Sequence, residues 1–167
     1  MTRYTYSKEN NAREKELAEI IKSKTNCECD LQLKYSIFDA VGYDAETREP
    51  KAFIEMRVVN YAFGQLPEIM IPMSKIILGQ QQTQLTGVKS LFMVFWYKCK
   101  SVTYVDINNI ECKPDYRVTP KGMNRTNDPN EIEVCRYVPS EVFKVMVDNR
   151  LSEFPTYQGE KNGNAYT

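Results

Sequence analysis

Two long apolar runs with a helical stretch between them restrict the fold of this chain more than any other feature. The first, Lys51-Ala-Phe-Ile-Glu-Met-Arg-Val-Val-Asn60, is apolar on both faces near Phe53-Ile54 and Val58-Val59, as a central strand must be. The second, Val88 to Tyr97, carries Leu91, Phe92, Val94, Phe95 and Trp96. Between them, Pro72-Met-Ser-Lys75 opens a helix that runs to about Leu85, with Ser74 as its expected N-cap and Gly87 ending the connection. Strand, helix, strand joined in this way is a parallel crossover unit. Lys98-Cys-Lys-Ser101 then makes a tight reversal into Val102–Ile107, which predicts a hairpin.

The remaining segments fit around that unit. Residues 8–24 read as a helix whose apolar stripe is Leu17, Ile20 and Ile21, stopping near Asn26. Leu31-Gln-Leu-Lys-Tyr-Ser-Ile-Phe38 alternates as a strand should, and the polar Gly42–Pro50 segment reads as a loop. Tyr61–Pro67 turns the chain, and Glu68–Ile71 is a short extended piece. Residues 113–130 read as a polar loop, with Met123–Asn130 exposed, before a strand at Ile132–Val138. A helix is expected over Glu141–Asn149, packed through Val142, Phe143 and Met146. The expected architecture is one α/β domain, residues 1–153, with a mixed sheet of four or five strands flanked by helices. The polar residues 154–167 are expected to form a disordered tail.

Composition narrows the chemistry. At 167 residues the chain is long enough for a real core, and its 22 Lys plus Arg balance 22 Asp plus Glu. A nucleic-acid binder of this kind must gather its cations locally. There is no histidine, which removes Ser-His and Cys-His nucleophiles and every His-ligated metal site. Metal chemistry must therefore use carboxylates and carbonyls, the donors of Mg²⁺ or Mn²⁺. The five cysteines contain no C-x-x-C pair and read as reduced thiols. No apolar run reaches the length of a membrane span, and Met1–Tyr6 lacks a signal peptide's apolar stretch. A cytoplasmic location, no membrane partner and no small-molecule cofactor are the expectations.

One constellation stands out. Asp39 follows an apolar run, and Glu55 and Arg57 lie two apart on the next strand, hence on one face. If the strands pair, two carboxylates and a cation meet at a sheet edge, which suits a divalent cation acting on a phosphodiester. The plain alternatives are a surface ion pair between Glu55 and Arg57, a turn role for Asp39, and a solvated helix cation at Lys75. Trp96, Phe92 and Phe95 are core residues by their setting, whereas the Tyr61-Ala-Phe63 turn suits either base stacking or an anchor onto the core. Lys98 and Lys100 at the hairpin tip, and Lys121 and Arg125 in the polar loop, could meet a phosphate backbone or simply face solvent.

The order of these elements, with Asp39 and Glu55-Met-Arg57, resembles the PD-(D/E)XK nuclease superfamily, the restriction-endonuclease-like fold, over roughly residues 9–110. Phe53–Lys75, with its aromatic turn and a helix opening near a lysine, is similar to a small phage-associated branch. The resemblance implies Asp39 and Glu55 as metal ligands, the Met56 carbonyl as a third, and a first-helix carboxylate as a fourth. Glu16 is the expected helix ligand, with Glu14 next. The family lysine falls at Arg57, and arginine stabilises charge without shedding a proton. Lys75 is then the candidate for orienting the attacking water, ahead of Lys34 and Lys51, and Gln65 for positioning a water or phosphate. Tyr61, Gln65, Lys98 and Lys100 are the expected nucleic-acid contacts. The implied function is a Mg²⁺- or Mn²⁺-dependent nuclease on DNA, in the host cytoplasm if phage-encoded. The alternative is an inactive nuclease fold that binds nucleic acid or a protein partner, for example an inhibitor of a host defence system. DNA is the expected partner in the first case, and a homodimer or a protein partner is open in either.

Overall fold

The computed structural model describes residues 8–33, 36–120 and 132–149. Strand β3 (Pro50–Val59) is central, as its two apolar faces require, and pairs in parallel with β5 (Lys89–Trp96) from Ala52↔Lys89 to Val59↔Trp96. Helix α2 (Met73–Thr86) makes the crossover between them. On the other side β3 pairs antiparallel with β2 (Ala40–Asp44), which pairs in turn with β1 (Cys27–Leu31). Beyond β5 lie β6 (Ser101–Asp106) and β9 (Lys144–Val147), both antiparallel to their neighbours. The main sheet thus has six strands in the order β1-β2-β3-β5-β6-β9. A second sheet of three antiparallel strands joins β4 (Glu68–Pro72), β8 (Ile132–Pro139) and β7 (Tyr116–Pro120) in the order β4-β8-β7.

Each face of the main sheet buries its own core. Helix α1 (Lys8–Lys24) lays Leu17 and Ile21 over Ala40, Ala52, Ile54, Met56 and Phe95. On the opposite face Phe92, Val94 and Trp96 pack against Ile76 of α2 and Ile69, Ile71 and Val138 of the second sheet. Trp96 is fully buried and donates its indole N–H to Thr103 Oγ1 at 2.9 Å, so it has no role at the surface. Helix α2 sits close to the sheet at Gly79, where a Cβ would come within 2.9 Å of Ile107 Cδ1. It ends at Gly87, whose φ of 74° needs a residue without a Cβ.

Several expectations are corrected. The sheet has six strands and a second sheet accompanies it, in place of four or five strands in one. Of the strand expected at Leu31–Phe38, Leu31 closes β1, while Gln32, Leu33 and Ser36–Phe38 lie outside any strand, and the supposed loop 42–50 contains the end of β2 and the start of β3. Phe38 leaves strand geometry to stack on Phe53, ring centroids 5.1 Å apart. The expected helix over Glu141–Asn149 is a single 3₁₀ turn, Ser140–Val142, followed by β9, because Val145 and Val147 bond to the open edge of β6. Ser74 makes no cap: Pro72 holds the N-cap position, with no side-chain hydrogen bond. Part of the supposed loop 113–130 is β7. Met123–Asn130, Lys121, Arg125, Lys34 and the tail 154–167 lie outside the described residues.

Candidate active site

The site arises where β2 stops short. Its last pair with β3 is Ala40↔Ile54, so from Glu55 onward β3 has no strand on that side. Asp39, the residue just before β2, turns its side chain into the gap, and its Oδ2 accepts the Met56 N–H at 2.7 Å. A carboxylate therefore occupies the place where a strand partner would have bonded. An extended residue sends its N–H and C=O to the same side, so the Met56 carbonyl faces this edge too. The Asp39 backbone is fixed as well, its carbonyl accepting Gln32 N–H at 2.8 Å.

Glu55 points from the adjacent position of β3 toward α2 and is only 13% exposed. Lys75, in the first turn of α2, places its ammonium 2.9 Å from Glu55 Oε1 and 3.0 Å from Oε2. Arg57 does not pair with Glu55: its Nη2 reaches the Met70 carbonyl of β4 at 3.4 Å, linking the two sheets. The cation seated on the acid thus comes from the helix, and the cation on the strand has become a strut.

The third acid comes from α1 and is Glu14. Burial, then the charges of Asp39 and Glu55, push its carboxyl up to about 7. Glu55 is pushed up to about 7 by burial and by Asp39, against the opposing pull of Lys75. Asp39 is also raised, by burial, although its bond from Met56 and the charge of Lys75 act the other way. Glu16, the expected helix ligand, is turned elsewhere and forms an ion pair with Lys100 at 2.8 Å. Helical phase explains the difference: Glu14, Leu17 and Ile21 fall at i, i+3 and i+7, the stripe that faces the sheet.

Three acids and one amine leave an excess of negative charge in a half-buried place. All the donors are oxygens, which suits a hard divalent cation such as Mg²⁺ or Mn²⁺. Among the described residues no three acidic or thiol side chains are already closed into a metal cage. One Asp39 oxygen accepts from Met56 and both Glu55 oxygens lie against Lys75, so a cation at Glu55 would compete with that ammonium. Glu14, Asp39, Glu55 and the Met56 carbonyl are the groups that could hold such an ion.

The expected nucleic-acid contacts divide. Tyr61 is 46% exposed and Lys98 is exposed, and the two meet through Lys98 N–H and the Tyr61 carbonyl at 3.4 Å. Phe63, in the same turn, is anchored against Trp96 with centroids 5.4 Å apart. Gln65 closes its own turn, its Oε1 accepting the Ala62 N–H at 2.8 Å. Lys100 is committed to Glu16 and to the face of Tyr97, 3.4 Å from the ring centroid. A cavity of about 460 Å³ lies elsewhere, lined by Cys27, Ala52, Leu91 and Met146 among others, and none of the three acids borders it.

The sequence matches the family described as "Phage putative PDDEXK endonuclease" over residues 1–146. None of the curated proteins matches the chain. Among solved structures the fold is similar to Archaeoglobus fulgidus Hjc, a Holliday junction resolvase from an archaeal hyperthermophile. That likeness has a TM-score of 0.50 at 9% identity and covers 80% of this chain and 90% of the resolvase. D212, a nuclease from a fusselovirus, aligns with a TM-score of 0.45 at 14% identity, covering 92% of this chain and 91% of that one. At such identities structural likeness speaks for the fold alone, a mixed α/β single domain. The sequence match is of another kind: it spans every residue of the acid cluster and most of the chain, and by it this protein belongs to the phage PD-(D/E)XK endonuclease family.

Proposed function

We propose that this protein is a Mg²⁺- or Mn²⁺-dependent nuclease that hydrolyses DNA phosphodiester bonds, with Glu14, Asp39, Glu55 and the Met56 carbonyl as its metal ligands. One observation carries the reading. Three carboxylates, from α1, from the residue before β2 and from β3, share one sheet edge, where burial first and the charge of neighbouring acids second push Glu14 and Glu55 each up to about 7. A fold does not gain from such crowding unless a cation relieves it.

The chemistry a bound divalent cation supplies is charge neutralisation at the phosphate and acidification of a nearby water. The chain's own residues do the rest. Asp39 is held by the Met56 N–H through one oxygen, which leaves the other for a cation. Glu55, fixed by burial, sets the inner wall of the site. Lys75 orients the attacking water and steadies negative charge on the phosphate oxygens, the task of the family lysine that Arg57 has vacated. Water adds to phosphorus and gives up a proton to solvent, the phosphorus–oxygen bond to the departing strand breaks, and the departing oxygen takes a proton from solvent. Tyr61 and Lys98, exposed at the end of β3 and β5, hold the substrate beside the site.

The test joins thermal melting to cleavage. Asp39→Asn keeps an oxygen for the Met56 N–H, so it should fold like wild type. It should lose both the rise in melting temperature produced by Mn²⁺ and the cleavage of duplex or branched DNA. Cleavage by Asp39→Asn at the wild-type rate would remove the site assignment. DNA binding by wild type with no cleavage in either metal would turn the reading to a nuclease fold that only binds.

A further inference from the structure

Strand β7 is the outer strand of the smaller sheet, and among the described residues no strand lies beyond it. Its register with β8 is regular from Tyr116↔Arg136 to Pro120↔Ile132. The Tyr137 N–H donates to the Asp115 carbonyl at 2.8 Å, so the backbone groups of Asp115, Arg117 and Thr119 face β8. By alternation those of Tyr116, Val118 and Pro120 face away from the sheet. Natural edges are usually guarded by a lysine, a mid-strand proline, a bulge or a covering element. Here the pairing shows no bulge, the strand holds no lysine, and its proline stands at the last position. Its one charge, Arg117, is tied down by Glu68 at 2.7 Å and by Asp115. The exposed face is apolar: Tyr116 is 48% exposed and Val118 62%, beside Ile132 at 59% and Val134 at 45%.

We propose that β7 is a self-association edge, pairing antiparallel with β7 of a second copy about a twofold axis at Val118. In that register Val118 exchanges both backbone bonds with the partner's Val118. The Tyr116 N–H donates to the carbonyl of the partner's Pro120, and the reverse. The missing N–H of proline thus falls at the end of the ladder, where its loss is least felt. Arg117 stands opposite the partner's Thr119, so no like charges meet. A second copy brings the same exposed apolar face, Tyr116, Val118, Ile132 and Val134, to the same side of the joined sheet, so the twofold pairing merges two such patches across the axis. The contact is short, roughly half of the ~800 Å² per partner in a standard interface. The dimer is therefore weak, with a dissociation constant on the order of tens of micromolar.

Sedimentation velocity from about 5 to about 500 µM brackets that affinity. Wild type should pass from monomer to dimer and stop there, because pairing consumes the edge. Val118→Lys should weaken the dimer about tenfold or more by opposing two charges at the axis, with the melting temperature unchanged. Under mild oxidation Val118→Cys should cross-link into a dimer, while Arg117→Cys and wild type, carrying the same native thiols, should not. Three results would overturn the proposal: a wild type that remains monomeric throughout, Val118→Lys dimerising as well as wild type, or Arg117→Cys cross-linking as readily as Val118→Cys.

Discussion

Glu14→Gln should make the metal-free protein more stable while abolishing its response to metal. In the fold the Glu14 carboxyl sits at about 7, against 4.5 ordinarily. A group whose folded value is raised costs nothing below its unfolded value. The cost grows as pH rises from 4.5 and is complete above 7. Taken at face value, a rise from 4.5 to about 7 is worth roughly 3.4 kcal/mol at pH 8. Glu14 is partly exposed, and screening by water reduces this to about 1–2 kcal/mol. Glutamine has nearly the same shape and no charge, so the variant recovers that amount. For a chain of this size the gain raises the melting temperature by roughly 3–6 °C at pH 8. At pH 5 Glu14 is protonated in the fold, and the gain should shrink to about a quarter. Differential scanning fluorimetry at both pH values, with and without Mn²⁺, measures all of this. A variant that melts at or below wild type at pH 8 would refute the reasoning, as would one that gains as much from Mn²⁺ as wild type does.

Other substitutions separate the roles of neighbouring groups. Lys75→Ala should lower cleavage by about 10²-fold or more, and Arg57→Lys should not restore it, because position 57 is directed at the Met70 carbonyl. Recovery in the Lys75→Ala/Arg57→Lys double variant would return the amine's role to the strand. Gly79→Ala should cost about 1–2 kcal/mol by pushing on Ile107 and Ser90, read as a lower urea midpoint, and a neutral result would mean that Ile107 yields without strain. Lys98→Ala should weaken DNA binding equally across sequences and reduce the slope of log affinity against log salt by about 1, measured by fluorescence anisotropy at several salt concentrations. An unchanged slope would place the DNA away from the hairpin tip.

What could be read from the residues alone follows from how strongly each signal binds its structure. The crossover 51–97 was legible because a strand with both faces apolar has nowhere to go but the centre, and the chain between two such strands must cross over. Leu31–Phe38 misled because its alternation is real for only three residues, whereas β1 is built on the less familiar alternation of Cys27, Cys29 and Leu31. β9 misled for a related reason: Val142, Phe143 and Met146 are spaced as on a helix, and four residues are too few to display period two. At the candidate site, the residue types and their order pointed to Asp39, Glu55 and Lys75, and the fold sets Asp39 on Met56 and Lys75 on Glu55. For the helix acid the reading of the residues placed Glu16 ahead of Glu14, although the phase of Leu17 and Ile21 turns Glu14 toward the sheet and Glu16 pairs with Lys100. The second sheet had no early signature, since β4 finds its partner only in β8, 63 to 71 residues further on, and β7 is hidden in a polar stretch.

That separation has a consequence for the order in which the molecule is assembled. Within the main sheet, β1, β2, β3, β5 and β6 join their neighbours through hairpins and one crossover, and they carry all of Asp39, Glu55 and the base for α1 and α2. A chain emerging from the ribosome can close those five strands once Asp106 has left the tunnel, with Glu14 and Lys75 already made. Strand β4 must wait, held by the Arg57 bond to Met70, until Cys135–Pro139 arrive to pair with it. Long-range pairing of this kind forms late and opens early. Amide exchange should therefore release β4 and β8 together, as one cooperative unit, while the amides of β3 and β5 beneath the acids stay protected.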